Sequence, residues 1–546
     1  MLSEVLKQQV MQAVGSMQSR PNVTEPKDWE LRQMAEVYGT RTSFGNINFT
    51  STVRNRSKEL TVIIGSEFVQ EKNPSNAQKE IIENLPQTLA EVHAYLAKAP
   101  FVAVHRTMGN NPDFSPKCHL YVSTNRPDSI HIPHMWGQSL FPYDQAANGP
   151  EFTIIFIPEW QEKDRQALVF PELGVTYVLG TDYFGESKKG FLRMAMYEAK
   201  QRGMLGVHAG SKLITAKDPD GKLKHYAMLF FGLTATGKTT HSCHHHSLNL
   251  PGEGVAVVQD HVVFWRQDGS TLGTEQGYYI KTDGLDHQTQ SLLHNAATKR
   301  SAIFENVMVD YEGNPYFEDE TLTGNGRCII QRKELGSFMA PSVNTPSLDE
   351  IDGLIIAFIT RRHTVLPSAT KLSPAQAAAA FMLGESIHTS GSNPRRAGES
   401  IREVGTNPFI IGDEADEGNR FYEFVNQHPD KIHCYMLNTG GVGEVVEVKD
   451  GKRKVVRKVN RIEIDEMASI IRGIVRETIQ WKEDPIWGAD VPAVVEDLDL
   501  DRLDPRHFYS EAEIARYIAD LKAERRAYFL KYPSLNPEIK TAFKMD

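Results

Sequence analysis

The sequence predicts an α/β protein of two domains, the second of them a mononucleotide-binding domain, and three observations predict it. The apolar run Tyr226 to Phe231 reads as a buried strand that stops at Gly232, and from there Gly232, Gly237, Lys238 and Thr239 fit the spacing GxxxxGK[ST]. Short apolar strands alternate with helical patterns along the chain. A length of 546 residues exceeds what one hydrophobic core ordinarily organises. The expected division is 1–203 and 204–546.

The stretch after the strand, GLTATGKTT, runs Gly232, Leu233, Thr234, Ala235, Thr236, Gly237, Lys238, Thr239, Thr240. In a phosphate-binding loop, successive backbone N–H groups and the positive end of the next helix cradle phosphate oxygens. Lys238 adds a mobile cation, and the Thr239 hydroxyl suits Mg²⁺. A chance glycine turn is the alternative, and the strand that leads into the loop argues against it.

Composition narrows the class. Hydrophobic residues at 40% and charged residues at 24% are those of a soluble globular chain. No apolar run is long enough to span a bilayer, and Glu4 and Lys7 interrupt the apolar pattern of the N-terminus, so that segment reads as an amphipathic helix. Cys118, Cys243, Cys328 and Cys434 are widely spaced, which points to a reducing, cytoplasmic setting. A net charge of −10 argues against nucleic acid as a partner and leaves room for a local basic site that takes anionic metabolites.

Taken in order, a strand is expected at Leu60 to Ile64, after a polar loop that carries Arg54 and Arg56. From Phe101 to Leu179, apolar runs separated by Gly, Asn and Pro turns predict a mixed sheet with short connections. Strand Val175 to Leu179 leads into a turn with Gly180, Gly185, Lys188 and Lys189, then a helix that closes at Gly203. Two lysines at a glycine-rich helix entry suit an anion, or else are solvated. His208, in GVHAG, is on its own a packed histidine as readily as a ligand. If the helix after the loop continues through HSCHHH, His241, His244 and His245 share one face, as in some zinc sites, although no second ligand cluster is nearby. Strand Val255 to Val258 ends in Gln259 and Asp260, where a phosphate-loop enzyme holds its metal.

Further on, Lys281 and Arg327 each sit beside a β-rich run, and Leu354 to Thr360 reads as another buried strand. SPAQAAAAFML opens a helix with Ser373 as N-cap, Pro374 first, and Gln376 completing a capping box. Residues 386–412 are rich in Gly, Ser, Asn and Pro, and form either a surface excursion or a lid that excludes water. A hairpin from Glu444 to Ile464 turns at Asp450 and Gly451, and a surface helix starts with the Ser510/Glu513 capping box.

Together these motifs resemble the ATP-dependent phosphoenolpyruvate carboxykinase family. Its loop reads approximately GLSGTGKTT, and its lysine motif, roughly YxGExKKG, is matched by YFGESKKG from Tyr183 to Gly190. The family's metal-binding histidine and aspartate fall on His208 and Asp260, its EGGCYAK segment on Glu275 to Lys281, and its TR before a strand on GR at Arg327. The arginine of TGRSPKDK best matches Arg54 in TVRNRSKE.

The resemblance implies a two-domain carboxykinase-like fold with the site in the cleft between domains and 386–412 as lid. It implies that Lys189, His208 and Asp260 ligate Mn²⁺, and that Arg54, Tyr183, Lys189 and Arg327 hold oxaloacetate. Residues 232–240 would hold the ATP phosphates, with Thr239 on Mg²⁺ and Lys281, Gln290 and Arg461 towards the nucleotide. A lysine ligates a metal only when neutral, so Lys189 would need a strongly lowered pKa. The implied reaction forms phosphoenolpyruvate, CO2 and ADP, as in gluconeogenesis, with Lys188, Lys189, Lys238 and Arg327 catalytic and no membrane or nucleic-acid partner. The protein would be a monomer or small homo-oligomer.

Departures from the family lie mostly on the nucleotide side: Ala235 for the middle loop glycine, Gln259 for a carboxylate, Gln290 for a glutamate, Met467 for a threonine. Ala235, Gln259 and Gln290 motivate one alternative, a kinase of the same fold with another small acid or phosphoryl donor; a further one, of a different class, is a non-catalytic ATP-binding or regulatory protein that retains the loop.

Overall fold

The computed structural model describes residues 3–544 except 55–57, 72, 162–164, 234–235, 389–395, 397 and 450–451. The chain forms two compact units. The first comprises Met1–Gly206, Leu272–Gly336 and Phe409–Asp413, and the second Val207–Thr271, Ser337–Pro408 and Glu414–Asp546.

In the first unit, a mixed sheet runs in the order Val23–Thr24, Phe101–Thr107, Lys117–Ser123, Glu151–Ile157, Val175–Leu179, Gln166–Phe170, Thr61–Ile63. Most positions of the central strands are buried, as helices that pack on the sheet require. Helix Glu4–Gly15, capped by the Ser3 hydroxyl, buries Val10 and Ala13 there, and helix Leu85–Leu96 adds Leu89, Val92 and Leu96 to the same core. A second sheet orders Gly277–Lys281, Arg327–Gln331, Ile303–Glu305, Ile47–Phe49 and Thr40–Arg41. Here the structure departs from a single division at 203/204. Ile303 and Glu305 pair in parallel with Ile47 and Phe49, so this later stretch completes a sheet begun near residue 40, and Lys281, Gln290 and Arg327 belong to the first unit.

The second unit has its own eight-stranded sheet, ordered Gly254–Gln259, Ala209–Lys217, Leu223–Gly232, Gly353–Thr360, Ile432–Asn438, Ala369–Leu372, Ala489–Val494, Gln480–Asp484. Its centre is parallel: Leu223–Gly232 and Ile432–Asn438 flank Gly353–Thr360. Helix Ile464–Val475 packs Met467, Ile470 and Ile471 into the core with Met228, Phe230 and Ile355. Helix Pro374–Leu383 starts with the expected Ser373/Gln376 capping box, and its Phe381 stacks on Phe421 at 4.6 Å.

Three local expectations change. The helix after the loop ends at Cys243, and His244 is extended, so His241, His244 and His245 share no helix face. The buried Lys212 reaches the end of that helix, donating to the backbone carbonyls of His241 (2.7 Å) and His244 (3.0 Å) and to His246 Nδ1 (2.9 Å). Helix Glu511–Phe529 is more than a surface helix, because Leu521, Arg525 and Phe529 are buried. Of the segment 386–412, residues 389–395 and 397 lie outside the described residues, and the rest carries a hairpin of Glu385–Ile387 with Ser400–Arg402.

Candidate active site

In the first unit, a cation-rich cluster assembles around Tyr183. The loop that presents Arg54 is pinned by Asp182, whose carboxylate accepts the Thr52 and Val53 amides at 2.8 Å each and pairs with Arg126. Burial alone would push the Asp182 carboxyl up, but the two amides and Arg126 outweigh it and hold the group below its usual range. Arg54 donates to the Leu322 carbonyl, and its buried Nε has no partner. Asn325 donates to the Arg54 carbonyl at 2.8 Å and lies 3.5 Å from the Tyr183 hydroxyl, while its Oδ1 accepts Arg327 Nε at 3.0 Å. Arg56 lies outside the described residues.

Below these groups Tyr279 donates to Glu305 and lies under the Arg327 guanidinium at 5.3 Å from the ring centre. Glu305 is fully buried and also accepts the Phe184 amide at 3.2 Å, and burial raises its pKa. Lys281 donates to the Gly324 carbonyl at 3.2 Å, and burial, then the Arg327 charge, lower its pKa to about 8. Both effects leave a site that favours an added carboxylate: an acid inclined to be neutral, beside the Arg327 and Lys281 cations.

The two adjacent lysines stand one turn inside helix Gly185–Gln201, not at its entry. Lys188 is buried and donates to the buried Glu275 at 2.8 Å. Lys189 is half-buried, with Nζ 5.8 Å from the Tyr183 ring centre. Gln290 donates to the Gly284 carbonyl at 2.7 Å and precedes helix Ser291–Ala297.

In the second unit, strand Leu223–Gly232 ends where the nine-residue loop stretch begins, and helix Lys238–Cys243 follows it. Thr234 and Ala235 lie outside the described residues. Gly237 has φ +103°, and a Cβ on Gly232 would meet Thr236 Oγ1 at 2.6 Å, so both glycines are needed for the path of the loop. Thr439 Oγ1 fastens it by donating to the Thr236 carbonyl at 2.6 Å. Leu233 is buried, whereas Thr239 and Thr240 are half-exposed.

His208 and Lys238 meet within this unit. His208 Nδ1 lies 2.6 Å from the Thr406 carbonyl, which can only accept, so Nδ1 carries the proton and Nε2 presents its lone pair. That lone pair takes the Lys238 ammonium at 2.9 Å. An imidazole held by a backbone carbonyl, with Nε2 basic, is the state a metal ligand needs. Asp260 directly follows Gln259, which pairs with Ser211 three residues after His208, and its buried Oδ1 has no hydrogen-bond partner. A buried carboxylate oxygen without a donor calls for a cation, so this pair fits a divalent ion. Arg461, in register with Gly441, is exposed.

The sequence reading missed Asp182, Glu305, Asn325 and Thr406. The aspartate that directly precedes Tyr183 was the one available signal, since the others act across long sequence separations.

An α/β chain with a strand-to-helix loop that carries Lys238, and a cationic cluster suited to a small acid, defines a phosphoryl-transfer class. The sequence model of the phosphoenolpyruvate carboxykinase family matches residues 22–501, and the chain belongs to that family. Its relatives include the phosphoenolpyruvate carboxykinase (ATP) of Aeropyrum pernix, 30% identical over 455 residues that cover 83% of this chain and 86% of that protein. The enzyme of the same name from Brucella anthropi is 27% identical over 387 residues, or 69% of this chain and 66% of that protein. The Rhizobium etli enzyme is 26% identical over 386 residues, again 69% and 66%.

Proposed function

We propose that this chain converts oxaloacetate and ATP to phosphoenolpyruvate, CO2 and ADP. Family membership and the relatives' shared name support the reaction, and they disfavour another acid or donor. The observation that carries it is the contact of the loop lysine Lys238 with His208 Nε2 at 2.9 Å. A loop lysine alone binds phosphate; a loop lysine against an imidazole in the state a metal ligand needs suits transfer to a charged oxygen.

The roles are assigned residue by residue. Arg54 and Arg327 hold the substrate carboxylates, Tyr183 contributes its hydroxyl, and Lys189 faces the same acid. Loss of CO2 leaves an electron pair in the enolate, whose oxygen attacks the γ-phosphorus, so no general base is needed. Lys238 and the loop amides neutralise charge that spreads over the transferring phosphoryl. Lys188, already paired with Glu275, acts as a fixed positive centre. Lys281, Gln290 and Arg461 are assigned to the nucleotide. His208 and Asp260 would hold Mn²⁺ and Thr239 Mg²⁺, ions that supply Lewis-acid stabilisation when bound.

A coupled assay with oxaloacetate and Mn²⁺, run separately with ATP, GTP and pyrophosphate, tests this reading. Turnover is expected with ATP; no phosphoenolpyruvate with any donor would sink it. Lys238→Ala should lower kcat by about 10²–10³, whereas unchanged turnover would take the loop out of the chemistry.

A further inference from the structure

Thr406 is a buried, β-branched residue held at φ +50°, a left-handed conformation that costs a non-glycine residue about 1–2 kcal/mol. Gly405 before it also has φ +59°, so the backbone is left-handed at two successive residues and the side chain at 406 is kept against a conformational cost. Its two polar groups go to two different places in the second unit. The carbonyl accepts His208 Nδ1–H at 2.6 Å, and the hydroxyl oxygen accepts the Gly232 amide at 3.1 Å. One residue therefore touches both the imidazole that faces Lys238 and the first residue of the loop.

The support beneath Thr406 is also built from charge. Its amide donates to the Glu403 carbonyl at 2.8 Å, directly after the hairpin that pairs Glu385 with Arg402. Glu385 is buried and receives Arg525 Nε at 3.2 Å, along with Arg362 and Arg402 at 3.5 Å each. These guanidinium groups hold the Glu385 carboxyl far below its usual range even though burial opposes them. A cavity of about 10 Å³, room for one water, is lined by Thr360, Gly384, Glu385, Thr406 and Arg525. Arg525 lies on helix Glu511–Phe529, beyond residue 501 where the family match ends.

We propose that Thr406 is a positioning residue that sets the phosphate loop through its hydroxyl and the tautomer of His208 through its carbonyl. The inference rests on the function proposed above and adds to it the residue that ties nucleotide binding to metal binding. The hydroxyl can be removed without the carbonyl, which makes the two roles separable. Thr406→Val keeps the shape and the carbonyl, Thr406→Ser keeps the hydroxyl, and Thr406→Gly suits the left-handed backbone while giving up both the hydroxyl and the rigidity of the carbonyl.

The test measures ATP affinity by calorimetry and Mn²⁺ affinity by the electron paramagnetic resonance signal of the free ion, on the full chain, with the thermal midpoint as a control. Thr406→Val should weaken ATP binding about tenfold and leave Mn²⁺ affinity within about twofold of wild type, because the carbonyl stays in place. Thr406→Ser should restore ATP binding, and Thr406→Gly should weaken both ligands. Wild-type ATP affinity in a folded Thr406→Val protein, or no recovery with Ser, overturns the role. If Thr406→Val does not fold, Ser and Gly carry the comparison, and equal ATP affinity in those two overturns it. A wild-type chain that binds neither ligand overturns the functional reading and this role with it.

Discussion

The two units build their candidate sites by opposite means. In the first, groups far apart in the chain are tied by side-chain contacts: Thr52 to Asp182 across 130 residues, Arg54 to Leu322 across 268, and Asn325 to Arg54 across 271. In the second, one contiguous stretch from Gly232 to Thr240 is the candidate loop, and the Thr406 and Thr439 hydroxyls fasten it. Buried charge is paired in both. Lys188 is matched by the Glu275 carboxylate in the first unit, and Glu385 by Arg362, Arg402 and Arg525 in the second, where Lys238 also meets the His208 imidazole. Paired charge is thus scaffold in each unit, and the Lys238–His208 contact is the part of the second that is proposed to meet a ligand.

The sharpest way to break this contrast is to remove one carboxylate. Glu275→Ala leaves the buried Lys188 ammonium without its partner, and breaking a buried pair from one side costs about 3–5 kcal/mol. A loss of that size is expected in urea unfolding of the variant, with Glu275→Gln intermediate. Lys238→Ala probes the second unit through activity instead: turnover should collapse while the thermal midpoint shows a folded chain. If Glu275→Ala costs less than about 1 kcal/mol, the Lys188 pair is no scaffold and the contrast fails.

The same divide governed what could be read from the sequence. Strands such as Val175–Leu179 and the capping boxes at Ser373 and Ser510 were legible because local periodicity and cap chemistry dictate them. The strand that ends at Gly232 and the helix that starts at Lys238 were legible because neighbouring residues at fixed spacing set them. Glu305, Asn325 and Thr406 were not, because each acts through a partner that only tertiary pairing brings near. The unit boundary was missed for the same reason: parallel pairing of Ile303–Glu305 with Ile47–Phe49 leaves no local trace. The condition set for His241, His244 and His245 to share a face fails, because the helix ends at Cys243 and the chain turns extended and then left-handed at His246 and Ser247.

A second prediction concerns Lys281, whose pKa burial and the Arg327 charge lower to about 8. An anionic ligand favours the ammonium form, so binding takes up a proton once the pH exceeds that value. ATP affinity should therefore hold steady up to about pH 8 and fall above it, by at most about tenfold per pH unit. Lys281→Arg keeps its charge throughout, so its affinity should stay level. Calorimetry in buffers of different ionisation enthalpy would register the proton directly. A wild-type profile as flat as the arginine variant's would remove Lys281 from the nucleotide and leave it as scaffold, like Lys188.

The smallest effect tests whether any carboxyl in the first unit lacks charge. Glu305 is fully buried between the Phe184 amide and the Tyr279 hydroxyl, and burial raises its pKa above 4.5. Folding then favours the protonated form, so its contribution to stability is complete at low pH and is lost as pH rises through the raised value. Glu305→Gln cannot ionise and retains an acceptor for the Phe184 amide, so at low pH its stability should lie within about 1 kcal/mol of wild type. As pH rises, the difference between the two should move in favour of the variant and then level off, which denaturant unfolding at several pH values would record. Movement in the opposite direction would mean that Glu305 is ionised in the folded chain. Arg327 would then have a carboxylate of its own nearby, and the cluster would already hold the charge that a substrate acid is proposed to bring.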